Sequence, residues 1–348
     1  MRKFLLLISL LIVFTTLSTS ASAQELTAPA VTGEARSLMP EEDASFGEGL
    51  RSILQKVLPS AVEEIQTAMK TGLGVFCCVF LISILQSAGC PSAASQMVGA
   101  VCISTLMLRS SGVLISLAVS TVTEISEYSK LFLPVLAAAA SAQGRITSAT
   151  TLCVGTTAFS AFLANSLRRL FIPAVYLFLA AAIANCAVGE EALKKISEQL
   201  KKLSVWFLKA VLTIFLTYMS ITGAVTGTAD KTAVKAAKAA ISTVVPVIGK
   251  NLADASEVLL LSADMVKNSI GVYGIFAFFA IFLSPFFRIG AHYLVMRGTV
   301  ALCAIVGQKR LTALTEDFCA CMGLLLGMTG TMCTLCVIGT VCFMKGAG

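Results

Sequence analysis

The sequence is poor in charge. Asp, Glu, Lys and Arg make up 13% of its 348 residues, against 57% hydrophobic residues. A soluble globule carries about a quarter charged residues, so this chain cannot cover a water-facing surface. That excludes an ordinary soluble enzyme, a disordered chain and a coiled coil. Histidine occurs once, tryptophan once and tyrosine five times. A single imidazole cannot build a paired-histidine metal site. So few aromatics, none interleaved with the basic residues, leave no stacking platform for nucleic acid. There is also no Walker loop, no nucleophile elbow and no carboxylate pair inside a clear apolar run. No catalytic, cofactor-binding or metal residues are expected, and no cofactor.

What remains is apolar helix. Mean hydropathy is +0.88, and the apolar runs approach the roughly 20 residues that cross a bilayer. The chain reads as an all-α polytopic membrane protein. Arg2-Lys3, the apolar run 4–17 and the small-residue end Ala21-Ser22-Ala23 form the three regions of a secretory signal peptide over residues 1–23. It is cleaved after Ala23 or kept as a first anchor. In both cases residues 24–70 lie outside the cytoplasm. That segment carries eight acids and four bases, whereas residues 71–348 carry 20 bases and 11 acids, within an overall charge of +7. Its first part, to about Ser45, is rich in Pro, Glu and Ser and is expected to lack fixed structure. From 47 to 70 the spacing of Leu50, Ile53, Leu54, Val57, Leu58, Val62 and Ile65 predicts an amphipathic helix lying on the outer membrane face or on a partner.

Residues 71–348 form the multi-span domain. Spans are predicted at 72–87 and 97–119, with a short turn around Pro91. The stretch 131–142, which holds Pro134, is too short to cross and is expected as a re-entrant or interfacial helix. A weak Thr- and Ser-rich span follows at 146–163 and a stronger one at 170–187. Over 189–203, Glu190/Lys194, Glu191/Lys195 and Glu198/Lys202 are i,i+4 pairs with the acid first. Leu193, Ile196, Leu200 and Leu203 line the other face of this surface helix. Further spans fall at 205–225, 270–295, with a shorter run at 298–307, and 320–343, giving six or seven crossings. Bases flank 170–187 on both sides, so the positive-inside rule conflicts with itself there.

Two spans carry a base on a polar stripe: Thr105, Arg109, Gly112, Ser116 and Ser120 in one, Lys209, Thr213, Thr217 and Ser220 in the other. Arg109 lies near the middle of its predicted span and is expected to face the bundle or a cavity. The stripes are a polar pathway or a packing seam, and Lys209, near its span's start, is placed to snorkel. Over 230–250, Lys231, Lys235 and Lys238 share one helical face before Pro246 and Gly249. That face meets anionic headgroups or lines an aqueous path. The runs Leu133-Pro134-Val135-Leu136 and Val245-Pro246-Val247-Ile248 hint at two related halves. Gly223-x-x-x-Gly227 and Gly323-x-x-x-Gly327 permit close helix packing or self-association. The twelve cysteines read mainly as buried free thiols. Cys319-x-Cys321 is expected to be a more exposed pair than Cys333-x-x-Cys336, and His292 has no evident partner.

The central stretch 208–274 resembles the stage III sporulation protein AE family. The resemblance rests on Ser220-Ile221-Thr222-Gly223-Ala224-Val225, Gly227-Thr228-Ala229-Asp230, Ala237-Lys238-Ala239-Ala240-Ile241-Ser242, Val245-Pro246-Val247-Ile248-Gly249-Lys250 and Lys267-Asn268-x-x-Gly271. The outside segment, the cysteine content and the charges at Lys231 and Lys235 depart from the family's pattern. The resemblance implies a multi-pass protein of the mother-cell membrane facing the forespore in endospore-forming bacteria. Its partners would be other products of the stage III sporulation A operon, an ATPase and ring-forming subunits among them, and forespore-side channel proteins. Together they would form a transenvelope channel required for spore development. The residues alone also admit a stand-alone secondary transporter of a small solute.

Overall fold

The structure is a computed structural model that describes residues 29–31, 33–40, 46–141, 146–221 and 269–346. The elements are α1 (Glu34–Leu38), α2 (Phe46–Ser87), α3 (Ser92–Ser141), α4 (Ile146–Ser166), α5 (Ile172–Val188), α6 (Glu191–Ile221), α7 (Ser269–Val306) and α8 (Lys309–Gly346). A π-helical turn, Leu167–Phe171, joins α4 to α5. Among the described residues there is no strand, and six helices are long and apolar enough to cross a membrane. The chain is therefore an all-α, multi-pass membrane protein. The signal peptide of residues 1–23 lies outside the described residues.

Three hairpins make the bundle: α2–α3, the α4–α5 rod with α6, and α7–α8. Each closes at a glycine in the left-handed region, Gly89 (φ 90°), Gly189 (φ 82°) and Gly307 (φ 83°). A side chain is strained there and glycine is not. At the first turn the amide of Cys90 donates to the carbonyl of Leu85 (3.1 Å), and at the second Gly189 donates to Asn185 (2.7 Å). These bonds satisfy carbonyls that the helix ends would otherwise leave bare. All three turns lie at one end. The Gln308 amide donates to Gln86 (3.0 Å), and the Cys186 thiol contacts the carbonyl of Arg310 (3.5 Å).

The most extensive seam, between α2 and α7, is parallel. Phe276 covers Gly49 at one end, and Val295 lies 3.2 Å from where a Cβ at Gly72 would sit farther along. The second helix of each hairpin, α3 and α8, packs likewise. Helices α7 and α8 form the centre. Residues 275–278 and 280–283 of α7 are all buried, so this stretch is enclosed by protein on every side, as its apolar circumference requires. Phe132, Phe178, Phe215, Phe278 and Phe318 are fully enclosed and fill the middle of the bundle.

Several sequence expectations are corrected. The amphipathic segment 47–70 is not a separate helix; it is the first half of α2 and stands against α7. Ile53 and Val57 are buried, while Leu58, Val62 and Ile65 face outward. The stretch 131–142 is not a separate inserted helix. Up to Ser141 it continues α3, with Pro134 inside, because Phe132, Leu133 and Leu136 are buried in the bundle. On α6, Ile196 and Leu203 are exposed instead of packed, and Ser197 and Ser204 are buried in their place. Part of the segment before Ser45 is ordered. Helix α1 buries Ala35 and Leu38, Lys56 Nζ donates to the carbonyls of Ser37 and Met39 (3.1 Å each), and the Ser284 hydroxyl donates to Glu34 (3.3 Å).

Candidate functional site

On α3 the buried positions Ile103, Met107, Leu114, Ile115 and Ala118 fix which face looks in. The stripe Thr105, Arg109, Ser116 and Ser120 is on the exposed face, and Gly112 has no heavy atom within 4 Å of where its Cβ would be. Arg109 therefore points out of the bundle, opposite to the sequence expectation. The expectation treated Arg109 as mid-span, but α3 runs for 50 residues, about 75 Å at 1.5 Å per residue. The middle of an apolar run is not the middle of such a helix. Thr105 returns its hydroxyl proton to the carbonyl of Val101 (2.8 Å) and Ser120 to that of Leu117 (2.9 Å).

Helix α6 repeats the arrangement. Leu208, Val211, Leu212, Phe215 and Met219 are buried, so Thr213, Thr217 and Ser220 lie outside and Lys209 is half-buried. Thr213 donates to the carbonyl of Lys209 and Thr217 to that of Thr213 (2.8 Å each). The hydroxyls thus cost the helix nothing in unmade bonds while leaving acceptor capacity outward. Trp206 and Ile214 flank the stripe, 64% and 57% exposed. Gly223, Gly227, Asp230, Lys231, Lys235, Lys238, Pro246, Gly249 and Lys267 lie outside the described residues, as does the second Pro-containing run. The helices on either side of them, ending at Ile221 and beginning at Ser269, are both at the end away from the three turns. Gly271 is buried, and a Cβ there would collide with Met344 of α8.

Sequence reasoning missed a charged cluster inside the α2–α7 seam. Arg288 Nε donates to Glu64 Oε1 at 2.8 Å, and His292 Nε2 lies 3.4 Å from Glu64 Oε2. One signal in the sequence pointed to it: Arg288 and His292 are four apart, hence on one helical face. In the structure Glu64 sits between buried Ala61 and Ala68. A second cluster is a seam of buried hydroxyls where α3, α4 and α8 meet. It contains Ser129, Thr156 and Ser160, with Cys336 Sγ 4.0 Å from Ser160 Oγ.

The remaining motifs are structural. A Cβ at Gly323 would sit 3.4 Å from Tyr293 of α7, and one at Gly327 would sit 3.3 Å from Leu208 of α6. That motif thus packs helices of the same chain. Cys319 and Cys321 are buried, like Cys333 and Cys336, and all four are free thiols. The expected exposure of the first pair is corrected, because α8 is enclosed by its neighbours. Among the described residues no group of three or more His, Cys, Asp and Glu is placed to hold a metal ion.

Comparison with known proteins bears on this arrangement. The family model described as "Stage III sporulation protein AE" matches residues 36–348. A protein of Bacillus subtilis (strain 168) named "Stage III sporulation protein AE" is 23% identical over 214 residues, covering 58% of this chain. The match spans 51% of that relative's length. No solved structure matches the chain.

Proposed function

Because the chain belongs to the stage III sporulation protein AE family, we propose that it is a non-enzymatic integral membrane component of a transenvelope channel between mother cell and forespore. It sits in the mother-cell membrane facing the forespore, with residues 24–70 outside the cytoplasm. Its partners are the other stage III sporulation A proteins, an ATPase and ring-forming subunits among them, and forespore-side channel proteins. Further copies of itself are among these partners.

The observation that carries this reading is the outward face Lys209–Thr213–Thr217 on α6. A polar stripe on the outside of a membrane helix is unfavourable against lipid and favourable against protein or water. The enclosed phenylalanines leave the centre of the bundle filled. The polar path of this reading runs between chains, along this stripe. The protein acts by joining neighbours.

Cross-linking and pull-down from sporulating cells test the proposal. The channel reading expects the other stage III sporulation proteins to be captured through α6 and spore formation to stop when the chain is deleted. Capture of none of them, with solute transport by the purified chain alone in vesicles, would instead establish a stand-alone transporter.

A further inference from the structure

Helix α6 turns an apolar stripe away from its own bundle. Ser197, Ser204, Leu208, Val211, Phe215 and Met219 are buried and share one face, so the apolar second half of the helix sets the rotation of the whole. The Ser204 hydroxyl donates to the carbonyl of Leu200 (2.9 Å) and leaves no unmade bond in that seam. The opposite face of the first half carries Ala192, Ile196, Gln199, Leu203 and Trp206, spaced by four, three, four and three residues. All five are exposed, with Ile196, Leu203 and Trp206 at 50%, 55% and 64%. Such spacing is the seam that one helix presents to another.

Charge marks what this seam fits. Lys195, Lys202 and Lys209 run along one edge of it at seven-residue steps, about 10.5 Å apart at 1.5 Å per residue. Lys195 and Lys202 are exposed and Lys209 is half-buried. Among the described residues none of the three makes an ion pair. Glu191 and Glu198 stand farther round the helix, behind the lysines, and the other edge, Leu200 and Phe207, carries no charge. Hydrocarbon is a poor cover for this half of α6, because Lys194, Lys195, Glu198 and Lys202 are exposed beside Ile196 and Leu203, and charges resist burial in lipid. A second copy is a poor cover too. Copies inserted alike run parallel, so the lysine edge of each would meet the uncharged edge of the other and stay unpaired.

We propose that the Ile196–Leu203–Trp206 face of α6 docks an amphipathic helix of another protein, one with apolar residues at the same spacing and acidic residues at seven-residue steps along its edge. Ile196, Leu203 and Trp206 fill the seam, and the acids meet Lys195, Lys202 and Lys209. The stripe continues through Thr213, seven residues beyond Trp206. The inference thus rests on the reading of α6 as the contact helix, and it adds the chemistry of what α6 contacts.

The test uses the full-length chain in phosphatidylcholine nanodiscs. Trp206 is the only tryptophan, so its emission reports the seam directly. The probe is a synthetic helical peptide of four heptads, without tryptophan, bearing leucine at the seam positions and glutamate along both edges. A twin peptide bears lysine at the edges. The glutamate peptide should shift Trp206 emission to shorter wavelength, and the lysine peptide should leave it unchanged. Lys195→Glu combined with Lys202→Glu should weaken the glutamate peptide about tenfold or more, since like charges then oppose each other. Equal binding of the two peptides, or undiminished binding by the double variant, would overturn the acidic partner. The same emission shift without peptide, on loading two chains per disc, would give the face to a second copy and overturn it as well. Strong quenching of Ile196→Trp, in a Trp206→Phe background, by lipid brominated on its acyl chains would give the face to lipid, with the same consequence. Loss of peptide binding while cross-links through α6 still capture the sporulation proteins would count against this inference alone. Bound peptide with no such capture would uphold it and count against the channel assembly.

Discussion

Glu64 of α2 and Arg288 of α7 meet at 2.8 Å although 224 positions separate them in the sequence. Their side chains are 21% and 39% exposed, so the pair lies between the surface case, about 0–1 kcal/mol, and the buried case, where losing one partner costs about 3–5 kcal/mol. Glu64→Leu is expected to destabilise the protein by about 2 kcal/mol. Glu64→Leu combined with Arg288→Met should recover part of that loss, because no cation is then left stranded in the seam. Thermal unfolding of the four chains in one detergent closes the cycle, and strict additivity of the two single effects would show that the contact carries no coupling.

Lys56 bonds the carbonyls of Ser37 in α1 and Met39 just after it, and ties α1 to α2. Lys56→Ala should release residues 33–40 locally at a cost of about 1 kcal/mol. Amide exchange in that segment should rise several-fold while exchange in α7 stays unchanged. A uniform rise throughout the bundle would show that the segment is part of the global fold.

Gly327 approaches Leu208 closely, so the seam between α8 and α6 accepts a methyl group with little adjustment and no larger side chain. Gly327→Ala is expected to leave the melting temperature nearly unchanged. Gly327→Leu should destabilise by about 1–3 kcal/mol through overpacking. Equal melting of the leucine and alanine variants would mean that the two helices separate freely.

Thr213 and Thr217 face outward and bond only to their own helix in the described structure. The double change Thr213→Leu/Thr217→Leu should alter unfolding in detergent by less than about 0.5 kcal/mol. Spore yield and capture of partner proteins should nonetheless fall. Normal sporulation of this variant would remove α6 from the proposed contact face.

The helical membrane class was legible from charge scarcity and the length of the apolar runs, and the turn at Pro91 from its local composition. Where each helix continues was not legible. Residues 47–70 and 72–87 differ in polarity and read as two elements, yet no helix-breaking geometry interrupts them, and α7 supports both. The direction of the Arg109 and Lys209 stripes was equally hidden. Periodicity shows that residues share a face; only the neighbours decide whether that face is in or out. His292 had a findable partner in principle through its spacing from Arg288, but Glu64 comes from a helix far away in the chain.

The broadest contact of the bundle, α2 against α7, has a consequence for the order of events during synthesis. Its two helices run in the same direction and are separated by most of the polypeptide, so they cannot zip up as neighbours do and must wait for late translation products. Loops of that length close slowly. Until Phe276 reaches Gly49, the first hairpin is in place with its inner face uncovered. That interval, before the last hairpin docks, is when a newborn chain is most open to chaperones, to proteolysis and to premature pairing with another copy.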